Sequence, residues 1–140
     1  MGVEIINSNK KIQFDCIDNW SDGIMNGVVK DTNGVYEEAY KQFLINIKPI
    51  SSVVNVYKLP SEEASKLYED NSLDFVFIDA SHDYDNVLND MSLWYSKVKD
   101  GGVFAGHDYT DNWPEVKRAV DEFFKDKEFQ KKQGCWVYYK

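Results

Sequence analysis

Short apolar runs alternate along this chain with segments whose apolar residues recur three and four apart. Residues 12–17 (IQFDCI) predict a strand ending in Asp18-Asn19-Trp20. Residues 21–33 are polar, contain Gly23 and Gly27, and read as a loop. Tyr36, Ala39, Tyr40, Phe43, Leu44 and Ile47 share one helical face, so 34–47 predicts a helix with Pro49 just past its end. The valine-rich run 52–57 predicts another strand. Ser61, followed by Glu62 and Glu63, predicts the N-cap of a helix reaching Glu69. Residues 75–78 are wholly apolar between polar flanks, which suits a strand buried on both faces of a parallel sheet. Val87, Leu88, Met91, Trp94, Tyr95 and Val98 then mark a helix, Asp100-Gly101-Gly102 a turn, and residues 103–105 a second buried strand. Pro114 stands where helices begin, ahead of the stripe Val116, Ala119, Val120, Phe123 and Phe124. Residues 129–139 predict a hairpin turning near Gln133-Gly134. Residues 3–6 fit either a helix tail or an arm pairing with 12–17. The expected whole is one α/β domain over 1–140: a mostly parallel sheet, helices on both faces, and an antiparallel hairpin at the end.

A strand–helix–strand crossover is almost always right-handed, which makes its strands parallel. Their carboxyl ends then share the sheet edge where open α/β folds bind ligands. Asp79, His82 and Asp83 stand at one such end, and His107 and Asp108 at the other, so both histidines of the chain gather there. Three readings follow. Asp79, His107 and Asp108 could ligate a divalent metal ion, the histidine shifting preference from magnesium toward softer ions. His82 or His107 could act as the catalytic base that takes a proton from a substrate hydroxyl, because imidazole titrates near neutral pH. Alternatively, Asp79 and Asp108 cap the following turns and the histidines bond locally.

Composition narrows the partners. Over 140 residues, 43% hydrophobic and 15% aromatic content argues for a folded globule. A formal net charge of −8 repels phosphate backbones and anionic lipid, so neither nucleic acid nor membrane is an expected partner. No apolar run approaches spanning length, and the opening residues lack a signal-peptide core. Ile6 stands where a myristoylation motif starting at Gly2 needs Ser or Thr. Cys16 and Cys135 have neither disulfide-framework nor metal-ligand spacing, and read as reduced thiols of a cytoplasmic protein.

The pattern DFVFIDASHDYDNV…W…KVKDGGVFAGHDY…VKRAVDEF resembles the later half of class I S-adenosylmethionine-dependent methyltransferases. It is similar to the bacterial small-molecule branch that carries an IDxxHxY…GGxxxxHDY signature. The resemblance implies a Rossmann-like fold, S-adenosylmethionine as cofactor, and methyl transfer to a small-molecule hydroxyl. It implies that Asp18 accepts hydrogen bonds from the cofactor's ribose, although an aspartate there can equally stabilise its own loop. Ser61 would contact the adenine, with Pro60 standing where an aspartate is common, and Asp79 would lie on the cofactor side of the sheet edge. The family's glycine-rich loop, between a first strand and a helix, has no counterpart: no glycine falls in that order. The first strand is thus expected to be missing, and the cofactor to bind weakly, with Asp18 and Ser61 holding only its adenosine half. A non-catalytic or partner-completed remnant is the alternative; the strand edges left open are expected to close up within the chain, with pairing to a second copy as a homo-oligomer the next choice. A phosphoacceptor reading of Asp79 lacks the acidic pair and lysine of a receiver domain. A nicotinamide enzyme would need the absent glycine fingerprint.

Overall fold

Strand β1 (Phe14–Asp18) lies parallel to β4 (Val54–Lys58), in register from Phe14 opposite Val54 to Asp18 opposite Lys58. The computed structural model describes residues 8, 10–21, 24–25, 28–29 and 34–140. They fall in two units, Met1–Ser61 and Glu62–Lys140. Residues 3–6 lie outside the described ones. Part of the expected loop at 21–33 forms a small antiparallel ladder, β2 (Ile24–Met25) with β3 (Val28–Val29). Helix α1 (Val35–Ile47) starts after Gly34, whose φ of 83° suits a residue without Cβ, and tightens into a 3-10 turn, Lys48–Ile50, around Pro49. Its apolar face is covered only in part: Trp20 packs on Tyr40 and Phe43, with ring centroids 5.3 and 5.0 Å apart.

Helix α2 (Ser61–Ser65) is shorter than expected, and Ser61 is its first residue rather than its cap. The Ser65 hydroxyl donates to the carbonyl of Glu62 at 2.8 Å, the acceptor that the next helical amide would use. The amides of Lys66, Leu67 and Tyr68 bond instead to carbonyls of Glu63, Ala64 and Ser65, so the helix winds down through tight turns.

The second unit holds β5 (Leu73–Ile78), α3 (Tyr84–Tyr95), β6 (Val98–Gly106), α4 (Pro114–Phe123), β7 (Gln130–Lys132) and β8 (Cys135–Tyr139). The sheet order is β5-β6-β8-β7, with β5 and β6 parallel and the hairpin antiparallel, as the sequence predicts. The turn at Asp100-Gly101-Gly102 is absorbed inside β6. Leu73 pairs with Val98 and Phe75 with Val103, so the intervening residues bulge out, with Gly101 at φ 81°. Gln133 and Gly134 both take positive φ, 52° and 79°, the conformation of a tight hairpin turn.

One face of this sheet carries the core. Phe104 and Trp136 point to it and pack with each other and with Phe124; Met91, Val98 and Val120 are fully buried as well. Residues 75–78 do not have two buried faces. Phe75 and Phe77 stack on each other but stay 44% and 42% exposed. They alternate with Val76, which pairs with the buried Phe104. β5 is an edge strand of its sheet among the described residues, and Phe75 and Phe77 take the face opposite to Val76. The opposite edge, β7, is guarded by Lys131 and Lys132, a common protection against stray pairing.

Asp83 caps α3, its Oδ1 accepting from the Asn86 amide at 3.1 Å. Burial alone would raise its carboxyl, but hydrogen bonds from Ser81 and Asn86 outweigh that and hold it below the usual carboxylate range. A depressed folded value stabilises the fold above the unfolded value of about 3.9, and the gain is lost as pH falls through the folded value. Asp83→Ala should therefore cost about 1 kcal/mol near neutral pH. Melting curves should show that difference shrinking toward pH 3; a difference independent of pH would contradict the capping role.

Candidate active site

β5 ends at Ile78 and β6 at Gly106, and the backbone between them stays joined one step further. The His107 amide donates to the Ile78 carbonyl at 3.0 Å, which sets Asp79 beside His107. Gly106 has to be glycine: a Cβ there would stand 2.5 Å from the Trp136 ring and 2.7 Å from the Ile78 carbonyl oxygen. From the hairpin side, the Tyr109 amide donates to the Gly134 carbonyl at 2.8 Å. The segment bearing His107 and Asp108 is thus tied to β5 and to the β7–β8 turn, and Asp108 itself takes φ 60°. The site geometry follows from these ties rather than from a free loop.

Asp79, His107 and Asp108 each offer a ligand atom, and these atoms lie within 4.8 Å of one another. Asp79 and His107 are exposed, while the Asp108 side chain is only 17% exposed. Asp108 touches both histidines through different oxygens. His82 Nε2 lies 2.7 Å from Oδ2, and His107 Nδ1 lies 3.2 Å from Oδ1. The His82 ring also lies flat on Trp113, with centroids 3.9 Å apart and planes 18° apart. Trp113 occupies the N-cap position of α4, where its amide donates to the Thr110 carbonyl at 3.1 Å. Of the capping alternative, the histidines do bond locally, both to Asp108, while the cap of α3 is Asp83 and Asp79 is exposed at the strand end.

Against known proteins, residues 3–109 match the family described as "Methyltransferase domain". The chain belongs to this methyltransferase family. A 58-residue stretch is 41% identical to protein R132 of Acanthamoeba polyphaga mimivirus, covering 40% of this chain and 26% of that one. Among solved structures, the O-methyltransferase NovP superposes with TM-score 0.69 at 16% identity, over 99% of this chain and 64% of that one. A Corynebacterium glutamicum protein gives 0.67 at 15% identity, over 99% and 66%. CalS11, a TDP-rhamnose 3'-O-methyltransferase of calicheamicin biosynthesis, gives 0.61 at 10%, over 96% and 62%. The chain therefore spans about two thirds of these structures and about a quarter of the viral relative. These likenesses establish the class I, Rossmann-like methyltransferase fold.

The remaining site candidates of this methyltransferase domain lie in the first unit. Asp18 is exposed at the end of β1, with Oδ1 accepting from the Trp20 amide at 2.7 Å. Ser61 starts α2, just beyond the matching end of β4, so both sit past the carboxyl ends of paired parallel strands. Both cysteines are free, and burial first, then the Asp15 charge, pushes the Cys16 thiol up, away from nucleophilic chemistry. Tyr84 and Tyr109 bond through their hydroxyls to Glu122 and Asp121 of α4, at 2.6 and 2.7 Å. Trp94 is core, and the stack of Trp113 on His82 was missed by sequence reasoning. The available signal was its place on the short connection between His107-Asp108 and Pro114. Among the described residues, no helix is long and apolar enough to cross a membrane.

Proposed function

We propose that this methyltransferase domain moves the methyl group of S-adenosylmethionine to a small-molecule hydroxyl at the Asp79–His107–Asp108 cluster. The observation that carries this reading is the convergence of those three donors at the carboxyl ends of two parallel strands. In the reaction, the acceptor oxygen attacks the methyl carbon as its own proton departs. Bound S-adenosylmethionine would supply the methyl on a positively charged sulfur, which would keep the electron pair of the broken carbon–sulfur bond. His107 is the group placed to take the proton: its side chain is 45% exposed, and Asp108 Oδ1 stands 3.2 Å from its Nδ1, which orients the ring. The names of NovP and CalS11 as O-methyltransferases support oxygen as the acceptor atom.

The same donors fit a divalent cation, since two carboxylates and an imidazole are ordinary ligands for manganese or zinc. A bound cation would supply Lewis-acid stabilisation to the acceptor's alkoxide, with His107 then a ligand rather than the base. For the cofactor, Asp18 would accept the ribose hydroxyls with the oxygen not bonded to Trp20, and Ser61 would face the adenine. The acidic composition and free thiols support a cytoplasmic setting.

Calorimetric titration of the full chain with S-adenosylmethionine tests the cofactor part. Asp18→Ala should weaken binding about tenfold, the loss of a charge-assisted hydrogen bond. Tight binding that Asp18→Ala leaves unchanged would overturn the assignment.

A further inference from the structure

The two oxygens of Asp108 face different partners, and this decides what each histidine can do. Oδ2 is taken by His82 at 2.7 Å, and Oδ1 is turned to His107. His82 has one ring face covered by Trp113 and its Nε2 on Asp108, so its ring is held from two sides. We infer that His82 is a positioning residue for Asp108, itself held by the stacked Trp113, so that a divalent cation at Asp79, His107 and Asp108 meets a single Asp108 oxygen. This rests on the cation reading of the cluster.

The physical argument is one of orientation. Ligating carboxylates are aimed by outer partners that occupy their second oxygen, and losing such a partner weakens metal binding about 10–100-fold. Asp108 leaves the strand in the left-handed region, φ 60°, so its side chain is not aimed by sheet geometry. His82 supplies the missing constraint from the neighbouring strand end. An aromatic face 3.9 Å away limits ring rotation and keeps Nε2 on Oδ2. Trp113 can do this because its N-cap position on α4 is fixed by the tie to Thr110.

The test is calorimetric titration of the full chain with manganese chloride, for the wild type and for His82→Ala, His82→Gln, Trp113→Ala, Trp113→Phe and His107→Ala. His82→Ala should weaken manganese binding about 10–100-fold. His82→Gln, which keeps a donor, should recover part of that loss. Trp113→Ala should weaken binding less than His82→Ala, and Trp113→Phe less still. Melting without metal reports whether each variant folds, and the His82 ring protons should lose their upfield shift in Trp113→Ala. Wild-type affinity in a folded His82→Ala or His82→Gln would overturn the positioning role while leaving the cation site standing. No manganese binding by the wild type, or undiminished binding by His107→Ala, would overturn the cation reading and this inference with it.

Discussion

Trp136→Ala is expected to cost about 3–5 kcal/mol, the usual range for emptying a buried aromatic site. The ring is 1% exposed and packs edge-on to Phe104 at 5.1 Å and against Phe124 at 5.7 Å. Gly106 has given up its side chain to admit it. Little nearby can collapse into the space, because the backbone on both sides is fixed by the Gly106–Trp136 pair of the β6–β8 ladder. A domain of ordinary stability has about 5–15 kcal/mol in all, so this single change removes a large share. The site should suffer as well, since the same hairpin holds Tyr109 through the Gly134 carbonyl. Urea unfolding checks this through the midpoint. A loss below about 1 kcal/mol would mean that the ring is not central to the core.

Where the sequence was legible, local chemistry and a topological rule agreed. Gln133-Gly134 announced the hairpin turn because few residue pairs tolerate two positive φ values. The right-handed crossover placed Asp79 with His107 and Asp108 before any distance was known, and the cluster forms there. Phe75 and Phe77 show the limit. Their run specifies a strand, but an apolar pattern records what a residue prefers, not which layer covers it. The short α2 depended on one Ser65 hydroxyl competing for a carbonyl, too local an event for a periodicity to register. The His82–Trp113 stack depended on the path of a connection rather than on spacing, so it was visible only in three dimensions.

The largest functional effect is expected at His107. General-base catalysis contributes about 10²–10⁴-fold to rate, so His107→Ala should lower turnover by at least about 100-fold. As a metal ligand instead, its loss should be no less severe. The exposed ring contributes little to the core, and the tie that shapes its strand end uses its backbone amide, which alanine retains. Melting temperature should therefore change little. S-adenosylmethionine affinity should also hold, because the ribose and adenine contacts are assigned to Asp18 and Ser61. Loss of rate without loss of cofactor affinity separates a role in chemistry from a role in folding or binding.

The measurement that bears most directly on this account is transfer of labelled methyl from S-adenosylmethionine into a panel of hydroxylated small molecules, comparing the full chain with His107→Ala. The account predicts an O-methylated product from the wild type and at least about 100-fold less from the variant. Equal incorporation by the two, or label appearing on nitrogen alone, would contradict it.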